Sequence, residues 1–178
     1  MLDALRESRA LSAVRRAAHE RTPVAMEPRL RERRVFAVLP RATDSGDSAQ
    51  REAWSFLSSL DLAASRIVPL VFGRDVGTPD AFAGAVLHVS EQDLDWRRLP
   101  KRVVAEAVWT RRPDVAIDLS DRFSPAAAYL VGGAPAAIRI GTDPSPEAAL
   151  FYDLVVTGGP AALLRALEKL DPPVLPVR

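Results

Sequence analysis

The feature that most limits what this chain can fold into is a series of short, largely unbroken apolar runs: Val35–Leu39, Ile67–Phe72, Ala85–Val89, Val115–Leu119, Ala136–Ile140 and Phe151–Val156. A strand with one wet face alternates apolar and polar residues. A run without that alternation suits a strand covered on both faces, as in a parallel sheet. Helix-patterned stretches lie between the runs. One opens at Ser48, with Asp47 or Ser48 as its cap, reaches about Leu62, and has Trp54, Leu57 and Leu60 to bury. A second spans Lys101–Arg112, with Val104, Val108 and Trp109 inward. A third, Pro125–Val131, is stopped by Gly132-Gly133. A fourth, Ala161–Leu170, follows Gly158-Gly159-Pro160. Such alternation predicts an α/β fold with a mostly parallel sheet and helices on both faces.

Ahead of this unit, Leu2–Glu20 reads as an amphipathic helix. Leu2, Leu5, Leu11, Val14 and Ala18 keep helical spacing, and Arg6, Arg9, Arg15 and Arg16 lie on the flanks. The expected organisation is a basic helix and linker over 1–28, an α/β domain over 29–171 and a proline-rich tail over 172–178. The fifteen prolines gather at the element boundaries and act as punctuation.

Composition removes several function classes. With no cysteine there is no disulfide, thiolate metal site or cysteine nucleophile. A net charge of +1 gives no global field toward nucleic acid or membrane. No run approaches the roughly 20 apolar residues of a membrane helix. The charged start Met1-Leu2-Asp3-Ala4-Leu5-Arg6-Glu7 does not read as a secretion signal, so the cytoplasm is the expected location. Charge is uneven, however: residues 1–34 hold nine arginines against five acids.

In open α/β sheets, ligands bind beyond the carboxyl ends of the strands. The loop after the first strand, Thr43-Asp44-Ser45-Gly46-Asp47, is the leading candidate there. Gly46 lets the backbone approach a ligand, the following helix offers free amides to an anion, and Asp44 or Asp47 is placed to act as a general base. The same residues also serve a turn and a helix cap. The spacing matches neither GxxxxGK[ST] nor GxGxxG. Asp118 and Ser120 end the fourth run, where a carboxylate either faces a ligand, caps the next helix or pairs with an arginine. His19 and His88 are the only histidines, and His88 reads as a buried or edge strand residue. No metal-ligand spacing is present. Ser45, Ser120 and Ser124 lack a GxSxG elbow. The arginines of the first helix suit phosphate contacts, but no aromatic platform accompanies them in the sequence, which argues against single-strand binding.

Two resemblances follow. Arg112-Pro113-Asp114-Val115-Ala116-Ile117-Asp118-Leu119-Ser120, continued by Ala127–Ala134 and Ile138-Arg139-Ile140-Gly141, resembles the N-terminal half of heptosyltransferase-type glycosyltransferases. Ser45-Gly46-Asp47 is similar to that family's glycine-aspartate loop. The resemblance implies a Rossmann-like half of a two-domain GT-B enzyme, with Asp47 at the position of the acceptor base. It covers the middle of the chain and leaves the donor-binding half to a partner subunit. The whole-length layout is also similar to a small bacterial domain-of-unknown-function family. That likeness rests on the basic N-terminal helix, the connector Gln92-Asp93-Leu94-Asp95-Trp96, Phe151-Tyr152-Asp153-Leu154 and the final helix.

The reading at this level is a non-catalytic Rossmann-like binding protein. Its ligand or macromolecular partner meets the strand-end face at Asp44, Gly46, Asp47, Asp118 and Ser120. No cofactor, metal or membrane span is expected. The alternatives are a glycosyltransferase-like half using Asp47, and an RNA- or ribosome-associated factor docking through Arg6, Arg9, Arg15 and Arg16.

Overall fold

A computed structural model describes residues 2–20, 32–42 and 47–170. The linker 21–28, the loop residues Asp44, Ser45 and Gly46, and the tail 172–178 lie outside the described residues. The elements run α1 (Leu2–Glu20), β1 (Val35–Val38), α2 (Ser48–Ser59), β2 (Ile67–Phe72), β3 (Leu87–Val89), α3 (Arg102–Trp109), β4 (Val115–Asp118), α4 (Pro125–Gly132), β5 (Ile138–Gly141), β6 (Leu154–Val155) and α5 (Gly159–Lys169). Six strands form one sheet in the order β3-β2-β1-β4-β5-β6, and every pairing is parallel. This is the Rossmann-like α/β architecture, with the order reversing between β1 and β4.

The unbroken apolar runs have the expected cause. All four residues of β1 and all four of β4 are buried. Phe36, Val38, Leu70, Phe72 and Ala116 face one core with α3 and α4, while Val35, Ala37, Ile67, Val71, Val115 and Ile117 face another with α2 and α5. Pro69 sits inside β2 and still breaks no ladder bond. Leu70 offers its carbonyl to the Leu39 N–H on the β1 side, so Pro69 points the other way, toward β3. Pairing with β3 begins only at Leu70 opposite Leu87, so the missing N–H has nothing to serve.

The edges of the sheet are shorter than their sequences suggest. The run Phe151–Val156 contributes only Leu154 and Val155 as strand, because Phe151 and Tyr152 are buried against other groups and Asp153 is held by Arg139. Asp153 receives the Arg139 guanidinium on both oxygens, at 2.9 and 2.6 Å, and Arg139 Nη1 donates to the Gly132 carbonyl at 2.7 Å. One buried cation thus ties β5, the turn before β6 and the carbonyl end of α4, where positive charge is favoured. Gly141 lies under the Tyr152 ring; a Cβ there would stand 2.1 Å from a ring carbon. Phe151 stacks on Phe123, with ring centroids 5.8 Å apart.

Helix α1 lies against α4, burying Ala10 and Val14 in the α3–α4 core. Leu5, expected on the apolar stripe, is 48% exposed, so the buried seam begins only at Ala10. No helix of the described residues is long and apolar enough to cross a membrane.

The seating of Tyr152 on Gly141 makes Gly141→Ala an overpacking change. It should destabilise the fold by about 1–3 kcal/mol, read as a lowered denaturant midpoint with an unchanged slope.

Candidate functional site

The reversal point of the sheet is where the ends of β1 and β4 part and the chain leaves in opposite directions. A crevice of about 620 Å³ opens there. Its floor is apolar, with Leu39 and Phe72 at strand ends and Phe123 and Ala126 at the start of α4. Its rim is basic. Arg6 comes from α1, Arg41 from the loop after β1, Arg97 and Arg98 from the connector before α3, and Arg122 from the loop after β4. Three acids, Asp3, Glu7 and Asp121, share the rim. Arg41 stacks over the Phe72 ring at 5.1 Å, which holds its charge at the mouth. Ser124 caps α4 by accepting the Ala127 N–H, with Pro125 in the first turn, so α4 starts at the crevice wall.

Two of the acids expected to do chemistry, Asp118 and Asp47, are spent on the protein. Asp118 is 3% exposed. Its Oδ1 accepts the Ser120 N–H at 2.9 Å, and its Oδ2 accepts the Tyr152 hydroxyl. Thr142 Oγ1 donates to the Ser120 carbonyl at 2.9 Å, closing a small network beneath the crevice. Burial pushes the Asp118 carboxyl above the ordinary aspartate value, against the lowering effect of the Ser120 and Tyr152 hydrogen bonds. The Tyr152 phenol is also raised, first by burial and then by the charge of Asp118. Asp47 is the N-cap of α2 but makes no side-chain cap bond. Its Oδ1 pairs with Arg74 at 2.8 Å and its Oδ2 with Arg51 at 3.5 Å, so it anchors the loop after β2. Buried Gln50 does similar work, donating to the Pro40 carbonyl at 3.0 Å and accepting the Val76 N–H at 2.6 Å.

The structure therefore brings Ser120 and Arg6 to the crevice, sets Asp118 below its floor and leaves Asp47 to one side. Asp44 and Gly46 are outside the described residues. Arg9 and Arg16 border a second groove, while Arg15 lines a separate surface hollow with Ala4 and Leu11. At about 100° per residue, Arg9 and Arg16 fall on one flank of α1, and Arg15 lies across the buried seam. His88 is exposed on the edge strand β3, 4.0 Å from Asp75. No group of three or more metal-binding side chains occurs among the described residues.

Sequence reasoning missed Arg41, Arg97, Arg98 and Arg122. Arg41 and Arg122 stand directly in strand-end loops, so weighing cations as well as acids there would have found them. Arg97 and Arg98 reach the crevice only because the connector folds back on itself. A scan against protein-family models and a search of curated proteins match nothing to this chain.

Asp118 yields a pH prediction. A carboxyl raised in the folded state holds its proton more tightly there than when unfolded. Stability therefore falls as pH climbs from the ordinary value of 3.8 through the folded value, and the loss is complete above it. Asp118→Asn keeps the shape without the charge. It should be more stable than the wild type at neutral pH and lose that advantage below the ordinary aspartate range, as followed by denaturant midpoints across the acid range.

Proposed function

We propose that this protein binds a small anionic ligand, phosphorylated or carrying a comparable charge, in the crevice between the ends of β1 and β4, and holds it rather than converting it. The observation that carries this reading is that five arginines from four separate segments meet over one apolar floor, with Arg41 in no salt bridge among the described residues and Arg6, Arg97, Arg98 and Arg122 each beside one carboxylate. Guanidinium forks recognise phosphate oxygens in pairs. An apolar floor with convergent polar groups is the usual build of a small-molecule site. The engagement of Asp47 and Asp118 supports binding over acid–base chemistry, because neither carboxylate has an oxygen without a protein partner. A transferase half using Asp47 would need that residue released from Arg74 and Arg51. A chain without cysteine suits a reducing compartment, and the reading places it in the cytoplasm.

The test is calorimetric titration with inorganic pyrophosphate and with nucleoside diphosphates. Arg41→Ala and Arg122→Ala should each weaken binding by about tenfold or more, since a hydrogen bond to a charged group contributes roughly 1.5–3 kcal/mol. Arg51→Ala, away from the crevice, should leave it unchanged. If none of these anions binds, or if both crevice variants bind as the wild type does, the reading fails.

A further inference from the structure

A second groove, of about 650 Å³, runs between α1, α3 and the connector that precedes α3. Three aromatic side chains line it: Trp96, Trp109 and Tyr129. Trp96 is 54% exposed, although tryptophan is usually highly buried. The connector enforces that exposure. The Asp95 carboxylate accepts the Arg97 N–H at 2.8 Å, the Leu99 N–H at 3.1 Å and Arg97 Nε at 2.8 Å, so the chain folds tightly around its own aspartate. Leu94 and Leu99 are buried beneath this turn, and Trp96 is left outside. Trp109 is fixed differently. Its indole N–H donates to the Leu130 carbonyl at 2.9 Å, and its ring tilts against Tyr129 with centroids 5.6 Å apart. Gly133 makes room for it, since a Cβ there would come within 2.6 Å of the Trp109 ring.

The charge of the groove is specific in the same way. Arg102 is neutralised by Glu106 at 2.6 Å and Arg97 by Asp95 at 2.7 Å. Arg9 and Arg16 make no salt bridge among the described residues, so two free cations stand against one free lining acid, Glu20. Arg9 instead sits over the Trp96 ring, 5.5 Å from its centroid. The aromatic platform that the sequence did not place near the arginines is supplied by the fold, from α3, α4 and the connector. Arg97 also lines the crevice at the sheet reversal, so the two depressions follow one another along α1, a helix about 28 Å long.

We propose that this groove binds single-stranded RNA, stacking a base against Trp96 and setting backbone phosphates on Arg9 and Arg16. Exposed rings with unpaired guanidinium groups are the recurrent means of holding an unstacked strand. An acidic peptide would satisfy the arginines and leave the rings unused; a nucleotide chain uses both. The proposal is independent of the crevice ligand, because only Arg97 is common to the two linings.

A fluorescein-labelled RNA octamer of mixed sequence, titrated with the full chain and followed by anisotropy, tests it. Binding should fall steeply with salt. Trp96→Ala should weaken it about fivefold or more, the range base stacking supplies, and the double variant Arg9→Ala, Arg16→Ala should weaken it further. Arg15→Ala, across the seam of α1, should bind as the wild type does. Circular dichroism on each variant separates lost binding from lost folding, and Trp96→Phe should restore most of the affinity. Failure to bind the octamer, indifference to Trp96→Ala, equal weakening by Arg15→Ala, or equal affinity for a polyglutamate peptide would each overturn the proposal. Arg122→Ala, which touches only the crevice, separates this outcome from that of the anion titration.

Discussion

The second half of the sheet depends on one buried cation. Arg139 stands on β5, between the carbonyl end of α4 and the turn that carries Asp153, and it satisfies both at once. Ion pairs of this kind contribute little net stability over an apolar replacement, because desolvation offsets attraction. Their effect is geometric. With Asp153 fixed to β5, Tyr152 must lie across Gly141, and its hydroxyl must meet Asp118 at the end of β4. The carboxylate in turn holds the Ser120 N–H and shapes the loop that forms one wall of the crevice. A charge on β5 therefore sets the position of a wall at the end of the neighbouring strand, β4.

The distribution of charge between buried and exposed positions follows from this. Three acids near the strand ends are consumed by the scaffold: Asp118 by Tyr152, Asp47 by Arg74, Asp114 by the Arg34 N–H. Among the described residues, only Arg33 and Arg139 are buried arginines. A chain with a net charge of only +1 can thus present a basic rim at one place without a basic field overall.

What the sequence disclosed and what it withheld divide along a physical line. Strand and helix identity were legible because burial on both faces leaves an unmistakable pattern, as in Val35–Val38 and Val115–Asp118, and because Gly132-Gly133 and Pro160 mark helix ends locally. The same pattern overstated β6, since Phe151 and Tyr152 are apolar for the sake of Phe123 and Gly141 rather than for a strand. Site residues were harder, because function depends on which segments meet. Asp118 sits at a strand end as the site rule asks, yet β-sheet parity turns it toward the α4 face, among buried groups. Trp96 lies 87 positions from Arg9 in the sequence, and only the packing of α1 on α4 brings them to stacking distance.

Helix α1 lines both the crevice and the aromatic groove along its length. A helix that served only to cover the sheet would bury its apolar stripe along its whole length. Here Ala10 and Val14 do so, while Leu5 is 48% exposed and the buried seam spans about half the helix. The exposed half carries Asp3, Arg6 and Glu7 to the crevice, and the half that packs carries Arg9 and Arg16 to the aromatic groove. Around Val14 and Leu11 the seam carries small residues, Ala10, Ala13, Ala17 and Ala18, against an α4 that is itself alanine-rich and ends in glycine. Small residues on both sides let the two backbones approach closely, and that closeness brings the arginine flank of α1 within reach of Trp96. Enlarging the seam would move the cations away from the rings without touching either, so the spacing between the helices is itself part of the proposed binding surface.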